Sequence, residues 1–383
     1  MEIHRSTQQL TFIILFASTF TVMAGSAIAP ALPSILHDFG DSTLSDLKIR
    51  MTIGVSAAST MLCSNFIGRL SDKIGYITTL KIGLLFIIFS GAAGLIINNL
   101  NQLLVTRVIL GFGVAAVAIS TTAWIGDQHS GVDQHRITGF LGVAMESSGL
   151  LYFSLSGALA LIHWRFVFLI YLLPIFILFF LPKRSQLKKS ENQNDTDEKD
   201  KHIDYIIITT ASFISLFGLN IYVTQLPFLF EKQNASSFSS GLALAGASVS
   251  AALASYFFPR IMNYFHQQYI LAIAFLISAL GFMGLFLFDS LVLMSTSVII
   301  CGFAFGLTVP SLISWVNTIT NENNRGAGQA KLAIAGFSGQ FFSPIAFQPF
   351  VSSYNVQFGF LIFTFICVIF SSVTYMLPGQ NNR

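Results

Sequence analysis

Charge is scarce in this chain. Only 10% of its 383 residues are Asp, Glu, Lys or Arg, where a soluble domain carries about 25%. That argues against an ordinary water-soluble domain, and the formal net charge of +3 points to no nucleic acid until it is assigned loop by loop. Cysteine is nearly absent as well. Cys63, Cys301 and Cys367 are odd in number, lie inside apolar runs and lack metal-ligand spacing, so they read as small packing residues. No loop of the G-x-x-x-x-G-K-(S/T) kind occurs, which leaves nucleotide-driven work unsupported. No cluster of His, Cys and carboxylates has the spacing of a catalytic metal site, and His129 with His135 falls in a polar loop. Neither an enzymatic activity nor a cofactor or metal is expected.

What the chain has in abundance is apolar material, 54% of it, including 39 Phe. It falls into blocks of the roughly 20 residues that a helix needs to cross a bilayer. Twelve spans are predicted, over 10–33, 48–67, 77–97, 101–124, 137–161 and 164–181, then 205–229, 239–259, 268–288, 290–316, 327–349 and 356–377. Residues 182–204, rich in Lys, Asp, Glu, Asn and Gln, form a solvated linker, so the expected domains are 1–181 and 205–383. The first run ends in Ser26 to Ala29, a faint mimic of a signal-peptidase site. It is too long for a signal sequence and more spans follow, so it is read as a retained helix. With the N-terminus inside, fifteen of the twenty Lys and Arg fall on inner segments or the linker. That bias predicts both termini cytoplasmic, in a multi-pass protein of the cytoplasmic (inner) membrane.

The chain also repeats itself. A shift of 191 residues superimposes Arg69 on Arg260, Gly111 and Phe112 on Gly302 and Phe303, and Trp124 on Trp315. Two related six-helix units are expected, of the parallel-repeat kind found in transporters. The second copy has lost the charge: Asp72 maps to Asn263, Gly75 to His266 and Arg107 to Val298.

One charged stretch interrupts the apolar pattern, Gly68 through Gly75, with Arg69, Asp72 and Lys73 inside it. The two glycines are expected to bracket a tight turn between packed helices. Gly68, Leu70, Asp72, Lys73 and Gly75 match G-x-L-x-D-(R/K)-x-G, and the stretch resembles the loop between spans 2 and 3 of the major facilitator superfamily. Arg107, Gly111, Gly113, Ala115 and Ala116 resemble that superfamily's span-4 motif, R-x-x-x-G-x-G-x-A-A. Pro30 through Asp38 and His163 through Phe168 resemble its drug–proton antiporter branch. Span 5 departs from that branch: Gly149 and Gly157 are kept, but Phe153 and Ser154 stand where the motif has Gly-Pro, so the bend it produces is weakened. The resemblance implies alternating access, with Asp72, Gly68, Lys73, Gly75 and Arg136 acting at a conformational gate. The resemblance also implies that Asp72 meets the N-terminus of span 11, which Arg325 precedes, and a helix N-terminus does attract anions; a solvated charge that only sets topology is the alternative.

Two residues stand where lipid would exclude them. Arg107 lies about six residues into span 4, near 9 Å below its outer end, and costs a few kcal/mol unless it faces protein, water or a counter-charge, or snorkels to the headgroups. Glu146 lies near the middle of span 5, at a depth about 6 Å from that of Arg107. Low dielectric disfavours a charged carboxyl and an adjacent Arg favours it, so the pair is expected to couple proton binding to transport, a fixed ion pair being the alternative. In the superfamily such an Arg is associated with substrate and proton handling. Candidate substrate-binding residues are Thr19 and Met23 in span 1, Asn220, Tyr222 and Gln225 in span 7, Trp315 and Asn317 in span 10 and Gln340 in span 11. Each could equally serve helix–helix hydrogen bonding.

The reading is an all-α polytopic membrane protein of 12 transmembrane helices in two pseudo-symmetric six-helix bundles. It is expected to be a monomer in the lipid bilayer, with protons and a small-molecule substrate as partners and no nucleic acid. Proton-coupled export is the first expectation. Proton-driven uptake of a nutrient, metabolite or siderophore-like chelate is the second, because of span 5. A membrane sensor is the competing class, although the loops are too short to house an output domain.

Overall fold

The computed structural model describes residues 2–40, 42–128, 131–182, 202–320, 325–353 and 356–376, and no strand occurs among the described residues. The first half holds α1 (Glu2–Ser18), α2 (Phe20–Ser26), α3 (Leu32–Phe39), α4 (Thr43–Ile74), α5 (Tyr76–Ala92), α6 (Leu100–Gln128), α7 (Gly131–Ile162) and α8 (Pro174–Phe180). The second holds α9 (His202–Lys232), α10 (Ser237–Met262), α11 (Gln267–Leu287), α12 (Leu291–Ile319), α13 (Arg325–Ser353) and α14 (Val356–Met376). Among the described residues ten helical stretches are long and apolar enough to cross a membrane, α1 to α3 counting as one. The stretch Trp164–Phe180 is shorter, and α13 is diluted by Gly, Ser, Gln and two prolines; these are the remaining two of the twelve expected. Large apolar side chains face outward on these helices, Phe179 at 82% exposure and Leu62 at 73%, as a hydrocarbon surrounding requires.

In lipid an unpaired backbone carbonyl costs several kcal/mol, so each break in a helix must be answered by a neighbour. The first span breaks after α2, where Pro30 brings no N–H. Ile28 N–H turns back to Gly25 (3.3 Å) and Ala31 N–H to Ile28 (3.0 Å), which leaves the Ala24 and Ala27 carbonyls without their usual donors four residues on. Ser156 of α7 donates to Ala27 (2.6 Å), and the Tyr171 hydroxyl lies 3.2 Å from Ala24 O. The second half uses the same device. Pro344 deprives the Gln340 carbonyl, and Asn220 Nδ2 supplies the bond at 3.1 Å; Pro310 deprives Gly306, and Ser255 Oγ supplies it at 2.8 Å.

The repeat is visible in the packing. Helices α5 and α11, and α6 and α12, start 191 residues apart. Ser59 Oγ donates to Val108 O at 2.7 Å, and Ser250 Oγ, 191 residues on, donates to Ile299 O at 2.7 Å. Gly111 of α6 lies so close to α4 that a Cβ would come within 2.5 Å of Ser56 O, and Gly302 of α12 meets Ala247 O on α10 in the same way. Close backbone approach of this kind is the common route to helix association in membranes.

By its contacts the chain divides into two units, Met1–Ser190 with Leu226–Ala245, and Glu191–Gln225 with Gly246–Arg383. This gathers Leu226–Ala245, which chain order assigns to the second bundle, with the first unit. There the Arg50 guanidinium stacks 3.9 Å from the Phe228 ring, and a Cβ on Gly241 would come within 2.6 Å of Phe153 O. Of the linker expected at 182–204, residues 183–201 lie outside the described residues.

Candidate substrate and proton site

Arg107 is wholly buried, at 0% exposure, on the second turn of α6. A guanidinium in such a place needs partners, and the sixth span provides them. Residues Trp164–Leu172 wind as a 3-10 helix, opened by His163 Nδ1, which accepts from Arg165 N–H at 3.1 Å. Pro174, the first residue of α8, cannot donate to Ile170 O, and Leu173 N–H takes that carbonyl instead (3.0 Å). In a 3-10 helix residues three apart eclipse. Phe168 and Tyr171 accordingly stack, with centroids 6.3 Å apart and planes at 22°, and both face the guanidinium, its Cζ 5.3 Å and 5.1 Å from their centroids. Arg107 Nη1 donates to the Tyr171 hydroxyl at 2.9 Å, and Nε makes a longer contact with Thr106 Oγ1 (3.4 Å). Nη2 is buried with no hydrogen-bond partner among the described residues.

Glu146 is half-buried on α7. The expected contact with Arg107 is absent: among the described residues the ion pair found is Asp46–Arg50, at 2.9 Å. The reason is depth. Helix α7 is 32 residues long, and Glu146 lies sixteen residues, about 24 Å, from its end at Ile162. Arg107 lies only about 10 Å from the start of α6 at Leu100. The agreement expected from the sequence comes from counting Glu146 from the inner end of span 5 and Arg107 from the outer end of span 4; counted from Ile162 and Leu100 the two levels are about 14 Å apart.

Thr19 and Met23 do join this region. Thr19 sits in the interruption between α1 and α2; its hydroxyl donates to Phe16 O (2.7 Å) and shares a hydrogen bond with the Tyr152 hydroxyl of α7 (3.1 Å). Met23 is buried, and its carbonyl lies 3.3 Å from the Tyr171 hydroxyl. The first unit thus gathers Thr19, Met23 and Arg107 around two tyrosines that pattern reading passed over. The available signal was chemical: a phenol inside an apolar segment needs a partner. Arg50, at 4% exposure, was also passed over. Its Nε bonds both carboxylate oxygens of Asp46 at 3.0 Å.

Of the substrate candidates of the second unit, Asn220 and Gln340 meet through a backbone carbonyl. Asn220, 1% exposed, caps the Gln340 carbonyl as above, and its Oδ1 has no partner among the described residues. Trp315, 1% exposed, likewise has a buried Nε1 without a partner there. Asn317 Oδ1 accepts from Gln329 Nε2 at 3.1 Å. Gln225 is buried. Tyr222 packs near Phe282 and helps line a cavity of about 10 Å³, room for about one water and too small for a substrate.

The charged stretch before α5 is not the loop that was expected. Helix α4 runs through it to Ile74, with Asp72 and Lys73 exposed in its last turn. One residue, Gly75, makes the turn to α5, at φ 88° with its N–H on Ser71 O (2.8 Å); an L side chain is disfavoured there. Gly68 is helical, and a Cβ added to it would meet nothing within 4 Å, so no turn depends on it. Arg136 lies on α7, its side chain outside the described residues.

Comparison with known proteins agrees with this architecture. The family model described as Major Facilitator Superfamily matches residues 14–344 and 208–381. Quinolone resistance protein NorA of Staphylococcus aureus is 25% identical over 352 residues, covering 87% of each chain. Multidrug resistance protein 1 of Bacillus subtilis is 23% identical over 385 residues, covering 97% of this chain and 98% of that one. Among solved structures, a D-xylose–proton symporter superposes with a TM-score of 0.82 at 14% identity, over 98% of both chains. The human organic anion transporter MFSD10 does so with 0.74 at 17%, over 96% and 99%. At such identities the structural likeness is one of fold.

Proposed function

Because the chain belongs to the Major Facilitator Superfamily, and is an integral multi-pass membrane transporter rather than an enzyme, we propose that it exports small amphipathic organic compounds in exchange for protons. The observation that carries this reading is Arg107. Packing does not require a cation at that step of the fold, since Val298, also at 0% exposure, fills the corresponding step of the second unit. A buried guanidinium with an unpartnered Nη2 is therefore available to a mobile anion, to a substrate, or to a carboxylate such as Glu146 in another state of the cycle. The two relatives named for drug resistance support export.

In this reading the bundles 1–181 and 205–383 are the moving bodies, joined by the linker 182–204, in a monomer with both termini cytoplasmic. Glu146 takes the proton, and Asp72, Lys73, Gly75 and Arg136 act at the gate. Thr19, Met23, Asn220, Gln225, Trp315 and Gln340 contribute to the substrate path. The test uses inverted membrane vesicles with ethidium as probe and an imposed pH gradient. Wild type should accumulate ethidium against its concentration difference, and E146Q should exchange the dye without accumulating it. Gradient-driven accumulation by E146Q at the wild-type level would remove the coupling role.

Proton-driven uptake stays as a second reading because α7 is uninterrupted over its 32 residues, as expected where Phe153 and Ser154 replace a Gly-Pro bend. Right-side-out vesicles separate the two, since only a symporter loads solute there when the outside is acid.

A further inference from the structure

We propose that Tyr171 is the positioning residue for Arg107, joining the guanidinium to the break in the first span. Three elements meet at its hydroxyl. Arg107 of α6 donates to it at 2.9 Å, and the oxygen lies 3.2 Å and 3.3 Å from the carbonyls of Ala24 and Met23. A phenol has one proton to give and can accept another. With the guanidinium donating, the tyrosine's own proton is directed onto the first span, where Ala24 O has lost its helical donor to the turn at Ile28. The phenol thus has two contacts at once: it holds the guanidinium at Nη1 and gives its own proton to the break.

The 3-10 winding makes this junction possible. It brings Phe168 and Tyr171 onto one line, so that both rings flank the same guanidinium. An α-helix would turn those two residues about 60° apart and would take one ring away from Arg107. Winding of the sixth span, the cap on the first and the aim of the arginine are therefore one coupled arrangement. The inference rests on the reading of Arg107 as a transport residue only for its effect on transport; the contact itself is tested separately.

Y171F keeps the ring and removes the hydroxyl. In purified full-length protein, modification of Arg107 by phenylglyoxal, followed by peptide mass spectrometry, should become at least about fivefold faster in Y171F than in wild type, because the guanidinium loses its one short hydrogen bond. S156A removes the neighbouring cap on Ala27. It should speed hydrogen exchange around residues 24–31 and leave the Arg107 adduct rate at the wild-type value. In ethidium transport Y171F should displace the pH profile, and Y171F/R107A should be no worse than R107A alone. If Y171F matches wild type in adduct rate and pH profile while R107A stops transport, the positioning role is overturned and the transport reading stands. If R107A still couples ethidium to the gradient, the transport reading falls, and the adduct rate alone decides for or against Tyr171. An S156A protein whose Arg107 reacts as fast as that of Y171F would also overturn the proposal, since any loosening of the first span would then suffice.

Discussion

The two repeats keep one frame and fill it differently. In both, a serine on the second membrane span of the repeat bonds a carbonyl on the fourth span, Ser59 to Val108 and Ser250 to Ile299, each at 2.7 Å. In both, a glycine three residues farther along that fourth span, Gly111 or Gly302, lets the backbones touch. One step before the bonded carbonyl the first repeat has Arg107 and the second Val298, both at 0% exposure. The frame therefore has no need of the charge. Packing is duplicated because helices must associate in lipid without a hydrophobic drive; the cation is not, and each buried charge costs several kcal/mol.

That comparison can be broken most severely at the glycines. G111V and G302V should each destabilise the protein by about 3 kcal/mol, read as earlier thermal unfolding in detergent. A large effect in one repeat and none in the other would end the claim of a shared frame. Next comes R107V, which installs the second repeat's residue in the first. Transport of ethidium should fall about 100-fold while stability holds or rises, since a buried charge exchanged for an apolar side chain is often neutral or stabilising. A collapse of the fold would mean that the arginine is structural.

A smaller effect separates the uses of polar groups. N220L should cost about 1–2 kcal/mol by stranding the Gln340 carbonyl, and P344A in the same protein should recover most of it, because Ala at 344 brings back the helical N–H. Without recovery, Asn220 is doing something other than capping. The mildest test is S59A against S250A, each worth about 0.6 kcal/mol; the two unfolding curves should shift alike.

The positions of the membrane helices were legible because a bilayer imposes a length and a polarity that composition records directly. The repeat was legible through two tryptophans and a glycine pair. The single-residue turn at Gly75 was half legible: the glycine was named, but helix α4 carries the charged stretch that looked like a loop, because Asp72 and Lys73 suit a helix's last exposed turn as well as a turn's tip. Arg107 stood out in the sequence as a cation in an apolar run, whereas Tyr171 did not, since a phenol is amphipathic and common there.

What the sequence by itself determined is which groups are out of place in lipid, because the solvation cost of a charge depends on its surroundings and hardly on its partner. What only the tertiary structure decided is the partner: Tyr171 rather than Glu146 for Arg107, and the Gln340 carbonyl for the Asn220 amide N–H. Hydrogen bonds form over about 3 Å, a scale set by helix length, winding and proline-made breaks, and a few residues' uncertainty in any of these is enough to move one side chain past another.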